Sequence, residues 1–226
     1  RQLYYPYRLW SKKISKKVVP VLMTYSNDIF SFFIYEFVDI LDYNSITLVE
    51  QKNYEIASEK IQASEVELLL SKIKVVPEPA KIPFPQADKF DRLIDLISLL
   101  LENGLTSNDI TENYQFDKRQ TNYYTSAGKY LGLMEKPGKI FTLTDEAKYI
   151  LRQPHQLKYL KLIEKILAHE VFYQVFQLSL KIGDIPSKEQ ITKLMYESDL
   201  EIGNTTIDRR ASTVKGWIYW IWSQID

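Results

Sequence analysis

The chain contains no cysteine, which excludes disulfides and thiolate metal sites. Its two histidines, His155 and His169, stand fourteen residues apart, which argues against a histidine-based metal centre. Glycine is scarce at seven residues and never forms GxGxxG or GxxxxGK, so no phosphate-cradling loop is visible. No Ser/His/Asp or Cys/His catalytic set stands out. No apolar run reaches the roughly 18 residues of a membrane-spanning helix, and no secretory leader pattern is present. A membrane partner is therefore not expected, and a reducing cytoplasmic setting is compatible. Charge of one sign is also missing. The 29 basic and 29 acidic side chains cancel, so attraction to a polyanion must come from local patches.

What is present is apolar and aromatic. With 45% hydrophobic residues in 226, the chain can bury a sizeable core and fill two modest domains. Sixteen tyrosines and four tryptophans suit both cores and wet interfaces. The sequence opens on RQLYYPYRLW without a methionine, and residues upstream of Arg1 are expected to be missing.

The most informative stretch runs from Leu105 to Tyr149. Thr106-Ser107-Asn108-Asp109 offers N-cap oxygens for a short helix over Ser107 to Tyr114, with Ile110 and Tyr114 on one face. Phe116-Asp117 is a break. Lys118 to Leu133 suits a second helix with Tyr123, Ala127, Tyr130 and Leu131 as its buried stripe and Gly132 at its exit. Lys136-Pro137-Gly138-Lys139 is a turn between short runs at Met134 and at Ile140-Phe141-Thr142-Leu143. Thr144-Asp145 caps a further helix from Glu146. Helix, turn, helix and hairpin in this order predict a winged helix-turn-helix. Its second helix can enter a DNA major groove with its N-terminal residues leading. Those residues are Lys118, Arg119, Gln120, Asn122 and, one turn on, Ser126. Arg and Lys suit guanine edges, and Asn and Gln suit adenine edges. Lys136 and Lys139 on the wing suit phosphates. The same fold with a merely solvated polar face would serve protein contact instead.

The flanking segments complete an α+β reading. Arg1 to Trp10 is amphipathic, with Pro6 limiting it to a short or kinked helix. Gln2, Tyr4, Tyr5, Arg8 and Lys12 form either a solvent or DNA face or one side of a helix on a sheet. A basic loop spans Ser11 to Lys17. Strands are expected at Val18 to Thr24, Ile29 to Phe37, Ser45 to Val49 and Tyr54 to Ile56, with turns at Ser26-Asn27-Asp28 and Asp39 to Ser45. This is a small antiparallel patch needing a cover on one face. A helix over Ser58 to Lys74 closes a first domain, residues 1–74. Pro77, Pro79, Pro83 and Pro85 make residues 75–86 a linker. Residues 87–226 form a mostly helical domain: a first helix from Ala87 to Glu102, the winged unit, one long helix from His155 to Leu178, and helices beginning at Pro186 and Thr206. The last two resemble a second helix-turn-helix pair. It exposes Arg209, Arg210 and Lys215 either as phosphate contacts or as a salt-bridged face with Glu201 or Asp208.

Asp42 followed by Glu50-Gln51-Lys52 fits the loose D…ExK spacing of metal-dependent nucleases. In those enzymes carboxylates hold Mg²⁺ and the lysine polarises water or phosphate. E-x-K is common in charged sequence, and the nuclease core needs a central strand where this chain has prolines.

Four segments carry a family resemblance: PQADKFDRLIDLI (Pro85 to Ile97), FDKRQTNYYTSAGKYLGL (Phe116 to Leu133), FTLTDEAKYIL (Phe141 to Leu151) and TTIDRRASTVKGWIYWI (Thr205 to Ile221). Together they resemble the C-terminal helical DNA-binding region of bacterial type II restriction endonucleases. The first 57 residues then look like the tail of a nuclease domain, with RQLYYPYRLW as the helix after the catalytic ExK strand and Lys17 to Thr24 as the next central strand. Related nucleases carry Gln-x-x-x-Tyr on this helix, whereas Tyr5 and Tyr7 flank the position that Gln2 would need. The resemblance implies a parent enzyme performing Mg²⁺-dependent phosphodiester hydrolysis with catalytic carboxylates upstream of Arg1. It also implies no cofactor in this chain, double-stranded DNA as partner, and surface roles for Asp42, Glu50 and Lys52. One alternative is a non-enzymatic DNA-binding regulator, a homodimer paired through Trp217, Trp220 and Trp222. The other is a protein-interaction module.

Overall fold

A computed structural model describes residues 2–26, 29–55, 60–79, 81–114, 117–198, 200 and 203–226. The chain divides into two compact units, Arg1–Ser58 and Glu59–Asp226. The first is a small antiparallel patch with one helix, the second is mostly helical, and the fold class is α+β as expected.

In the first unit, α1 (Tyr4–Lys13) accepts Pro6 because the proline lies in the first turn, where backbone N–H groups have no intrahelical partner. Tyr4 is buried and does not belong to an outer face. Its hydroxyl lies 3.1 Å from the Leu41 carbonyl oxygen, to which it donates, and Tyr7 stacks on Phe37 at 4.9 Å. Strands β1 (Val21–Ser26), β2 (Ile29–Phe37) and β3 (Ile46–Glu55) form a meander in that order. The two expected strands after Ser45 are one. The polar run Glu50 to Asn53 pairs its backbone with Ile34 to Ser31 while its side chains face solvent. Asn27, Asp28 and Ile56 lie outside the described residues.

The second unit begins with α2 (Ala63–Lys72), whose Val66 joins the same core as the helices that follow. The boundary between units therefore lies upstream of α2 and not in the proline-rich stretch. That stretch is a strap on the second unit. Prolines hold it extended and remove donors; between them Phe84 buries and stacks on Phe172 at 5.7 Å, and beyond them Ala87 is fully enclosed. The Val76 N–H donates to the Ala168 carbonyl at 2.8 Å.

This strap also explains why the expected long helix is two, α7 (His155–Leu167) and α8 (Glu170–Ile182). At the break, Glu78 accepts the Val171 N–H at 3.3 Å through one oxygen and the Tyr130 hydroxyl through the other. His169 is packed, stacking on Tyr130 at 3.9 Å. The apolar period runs through the break because both helices face one core.

Between strap and α7 lie α3 (Phe90–Leu99), β4 (Leu105–Thr106), α4 (Ser107–Tyr114), α5 (Lys118–Tyr130), β5 (Met134–Glu135), β6 (Ile140–Leu143) and α6 (Asp145–Leu151). Strand order β4-β6-β5 and the helix order make this a winged helix-turn-helix. Gly132, with φ 68°, turns the chain from α5 into the hairpin. α9 (Lys188–Glu197), capped by the Ser187 hydroxyl, leads to α10 (Asn204–Gln224). α10 packs on α3, α7, α8 and α9. Trp217 and Trp220 lie inside this core, which removes them from any dimer contact. Among the described residues, no helix is long and apolar enough to cross a membrane.

Two outcomes follow from these contacts. A Cβ on Gly216 would meet the Asp88 carbonyl oxygen at 2.3 Å, a backbone atom with little freedom to yield. Gly216→Ala is expected to lower stability by about 1–3 kcal/mol in urea unfolding, although alanine is the better helix former. Burial, then the Glu78 carboxylate, raise the Tyr130 hydroxyl well above its ordinary value. The folded protein keeps that proton longer than the unfolded chain, so the contribution is intact below about pH 10 and is lost as pH rises through the folded value. Tyr130→Phe should therefore show a flatter loss of stability than wild type between about pH 9 and 11, measured by urea unfolding at each pH.

Candidate nucleic-acid interface

The helix-turn-helix is fastened by polar contacts. At the start of α4 the Thr106 N–H and hydroxyl donate to the Asp109 carboxylate at 2.8 and 2.7 Å. These bonds hold the Asp109 carboxyl below its usual range. Ile110 is fully buried, while Phe116 and the Tyr114 side chain lie outside the described residues. The Thr111 and Thr121 hydroxyls meet at 2.9 Å between α4 and α5.

α5 starts at an Asp117 cap, whose carboxylate accepts the Gln120 N–H at 2.7 Å. Its buried face is Thr121, Tyr124, Thr125, Ala127, Gly128 and Tyr130, followed by Leu131. Tyr124, not Tyr123, belongs to the stripe. Two threonines occupy buried positions where a hydropathy pattern expects apolar residues, and each hydroxyl is satisfied within the helix pair.

The opposite face carries the expected base readers. Lys118, Arg119 and Asn122 are exposed, and Gln120 and Ser126 are half-buried. Lys118, Asn122 and Ser126 recur every four residues and share one outer stripe. Arg119 donates through Nε to the Tyr123 hydroxyl, and its guanidinium lies 5.4 Å over the Tyr123 ring. Tyr123, expected in the core, is thus a brace for Arg119. The Gln120 side-chain carbonyl accepts the Asp117 N–H at 3.4 Å, which turns part of this side chain to capping.

The wing holds Lys136 with its ammonium 4.5 Å over the Phe141 ring, while Lys139 stands exposed beyond Gly138. On α10, Arg209 is exposed and borders a groove shared with Gln120 and Tyr123. Arg210 differs from this expectation. It is half-buried, its Nε is enclosed and has no hydrogen-bond partner among the described residues, and burial holds its guanidinium below the ordinary value. Lys215 is exposed on the side facing Glu189. Glu201 lies outside the described residues.

The D…ExK candidates do not assemble. Asp42 caps the short turn Tyr43–Ser45, its carboxylate accepting the Asn44 N–H at 2.9 Å. Glu50 and Lys52 pair with each other at 3.4 Å on exposed β3, with Glu50 four residues, about 13 Å, along the strand from Ile46. Among the described residues, no three His, Cys, Asp or Glu side chains are grouped to hold a metal ion. These residues do not fit a Mg²⁺ centre.

A family model described as Domain of unknown function (DUF7226) matches residues 92–226. The chain belongs to the DUF7226 family. Its matched region begins inside α3 and takes in the whole helix-turn-helix, the wing and α10. A second model, Domain of unknown function (DUF6997), matches residues 1–55 and so covers the first unit's helix and meander. No curated protein and no solved structure matches the chain.

In this DUF7226 chain the cap fixes where α5 begins. Asp117→Ala is expected to cost about 0.5–2 kcal/mol of stability, measured by urea unfolding, as loss of an N-cap carboxylate does elsewhere.

Proposed function

We propose that the second unit recognises double-stranded DNA sequence-specifically, with α5 in the major groove and the wing on the backbone. The observation that carries this reading is the division of α5 into two faces. One is fully engaged in the core, and the other presents Lys118, Arg119 and Asn122 to solvent. A helix about 10–12 Å across fits a major groove about 12 Å wide. The braced guanidinium of Arg119 loses less freedom on meeting a guanine edge than a loose one would. Lys139, Lys136, Arg209 and Lys215 serve phosphates.

The proposal extends to the parent activity. The chain acts as the recognition part of a type II restriction endonuclease, whose Mg²⁺-dependent hydrolysis belongs to carboxylates that the described residues do not supply. The separation of Asp42 from Glu50 and Lys52 supports that division of labour.

The test is fluorescence anisotropy with short random duplexes, titrated in salt, with Mg²⁺ added last. Binding that falls steeply with salt, with the DNA left uncut, is the expected result. Cleavage would return attention to Asp42, Glu50 and Lys52, and no binding at low salt would favour a protein-interaction module. Once a preferred site is selected, Arg119→Ala should cost about 1–3 kcal/mol there and blur one base position. Lys139→Ala should weaken all duplexes alike and flatten the salt slope by about one.

A further inference from the structure

A groove of about 480 Å³ runs along the flank of α5, walled by the starts of α3 and α9 and the first half of α10. Its lining brings together Lys89, Arg92, Lys188 and Arg209, four cations from three segments far apart in sequence. Asp88 is the carboxylate on the wall, and it is engaged by the Thr213 hydroxyl. Lys89 is the cap residue of α3 and Lys188 the first residue of α9, so the positive ends of two helix dipoles add to their charge. Every side chain that lines the groove carries a polar group.

We propose that this groove is a second phosphodiester-binding site, holding the DNA backbone beside the base pairs that α5 reads. Gln120 and Tyr123 supply the geometric link, since they line the groove and also form the half-buried flank of α5. When a helix occupies a major groove, the bordering sugar–phosphate strands run along its flanks. A strand on this flank meets Lys89, Lys188 and Arg209. The footprint therefore continues off the winged helix onto α9 and α10. This inference rests on the DNA-binding reading above.

The experiment compares the intact chain with a Lys89→Gln/Lys188→Gln double variant. The probes are two duplexes bearing the selected site, one trimmed to it and one extended on both sides. Wild type should gain affinity on extension. The double variant should lose that gain and show a salt slope flatter by about two, at about 0.9 per phosphate, while preferring the same core sequence. Lys89→Arg with Lys188→Arg keeps the charge and should restore both properties. A glutamine variant with the wild-type slope and flank gain overturns the groove while leaving α5 recognition standing. So does an arginine variant as impaired as the glutamine one. Absence of duplex binding by wild type overturns both readings together.

Discussion

The second unit depends on the burial of Trp217. Its ring is fully enclosed, stacked on Phe172 at 4.9 Å and edge-on to Phe90 at 5.1 Å. Its indole N–H donates to the Ala87 carbonyl at 2.7 Å. One side chain thus joins α10 to the strap, to α3 and to α8. Replacing such a ring by a methyl group costs about 3–5 kcal/mol in packed cores. One turn earlier Thr213 reaches Asp88, and the neighbouring Gly216 lets α10 press on the strap backbone. The strap is a structural layer held from both sides, and its prolines keep it extended enough to be held.

That arrangement determines what α5 can do. Its inner face is committed to α3, α4 and the hairpin, through aromatic and methyl packing, through the paired hydroxyls of Thr111 and Thr121, and through the Thr125 hydroxyl, which donates to the Thr121 carbonyl. The outer stripe is left to the cations and amides. The same packing that buries Tyr124 turns Tyr123 outward to brace Arg119, because adjacent helical residues stand about 100° apart. It also brings Arg209, nearly ninety residues away in sequence, to the flank of α5.

Much of the site was legible in sequence. The bounds of α4, the start of α5 at Lys118, the exit at Gly132, the hairpin and the α6 cap all follow from local signals: cap residues, one glycine and a short turn. The buried stripe of α5 passes through Tyr124 and not Tyr123, which hydropathy alone does not reveal because Thr121 and Thr125 look polar out of context. The α7–α8 break left no mark on the apolar pattern, since its cause is Glu78 and Val76 from the strap. Prolines suggested a linker because composition reports backbone preference and not what the backbone lies against. Lys89 and Lys188 come to line one groove with Arg209 only through the fold.

The sequence by itself determined the elements whose hydrogen bonds close within a few residues, together with the charge chemistry of the helix that follows Asp117. Caps, turns and helical periods are short-range constraints, and they survive without knowledge of neighbours. Tertiary structure alone decided which tyrosine is core, that two tryptophans are interior, that Asp42 stands apart from Glu50, and which cations share one groove. Those outcomes are contacts between residues distant along the chain, and they are selected by packing the whole core at once.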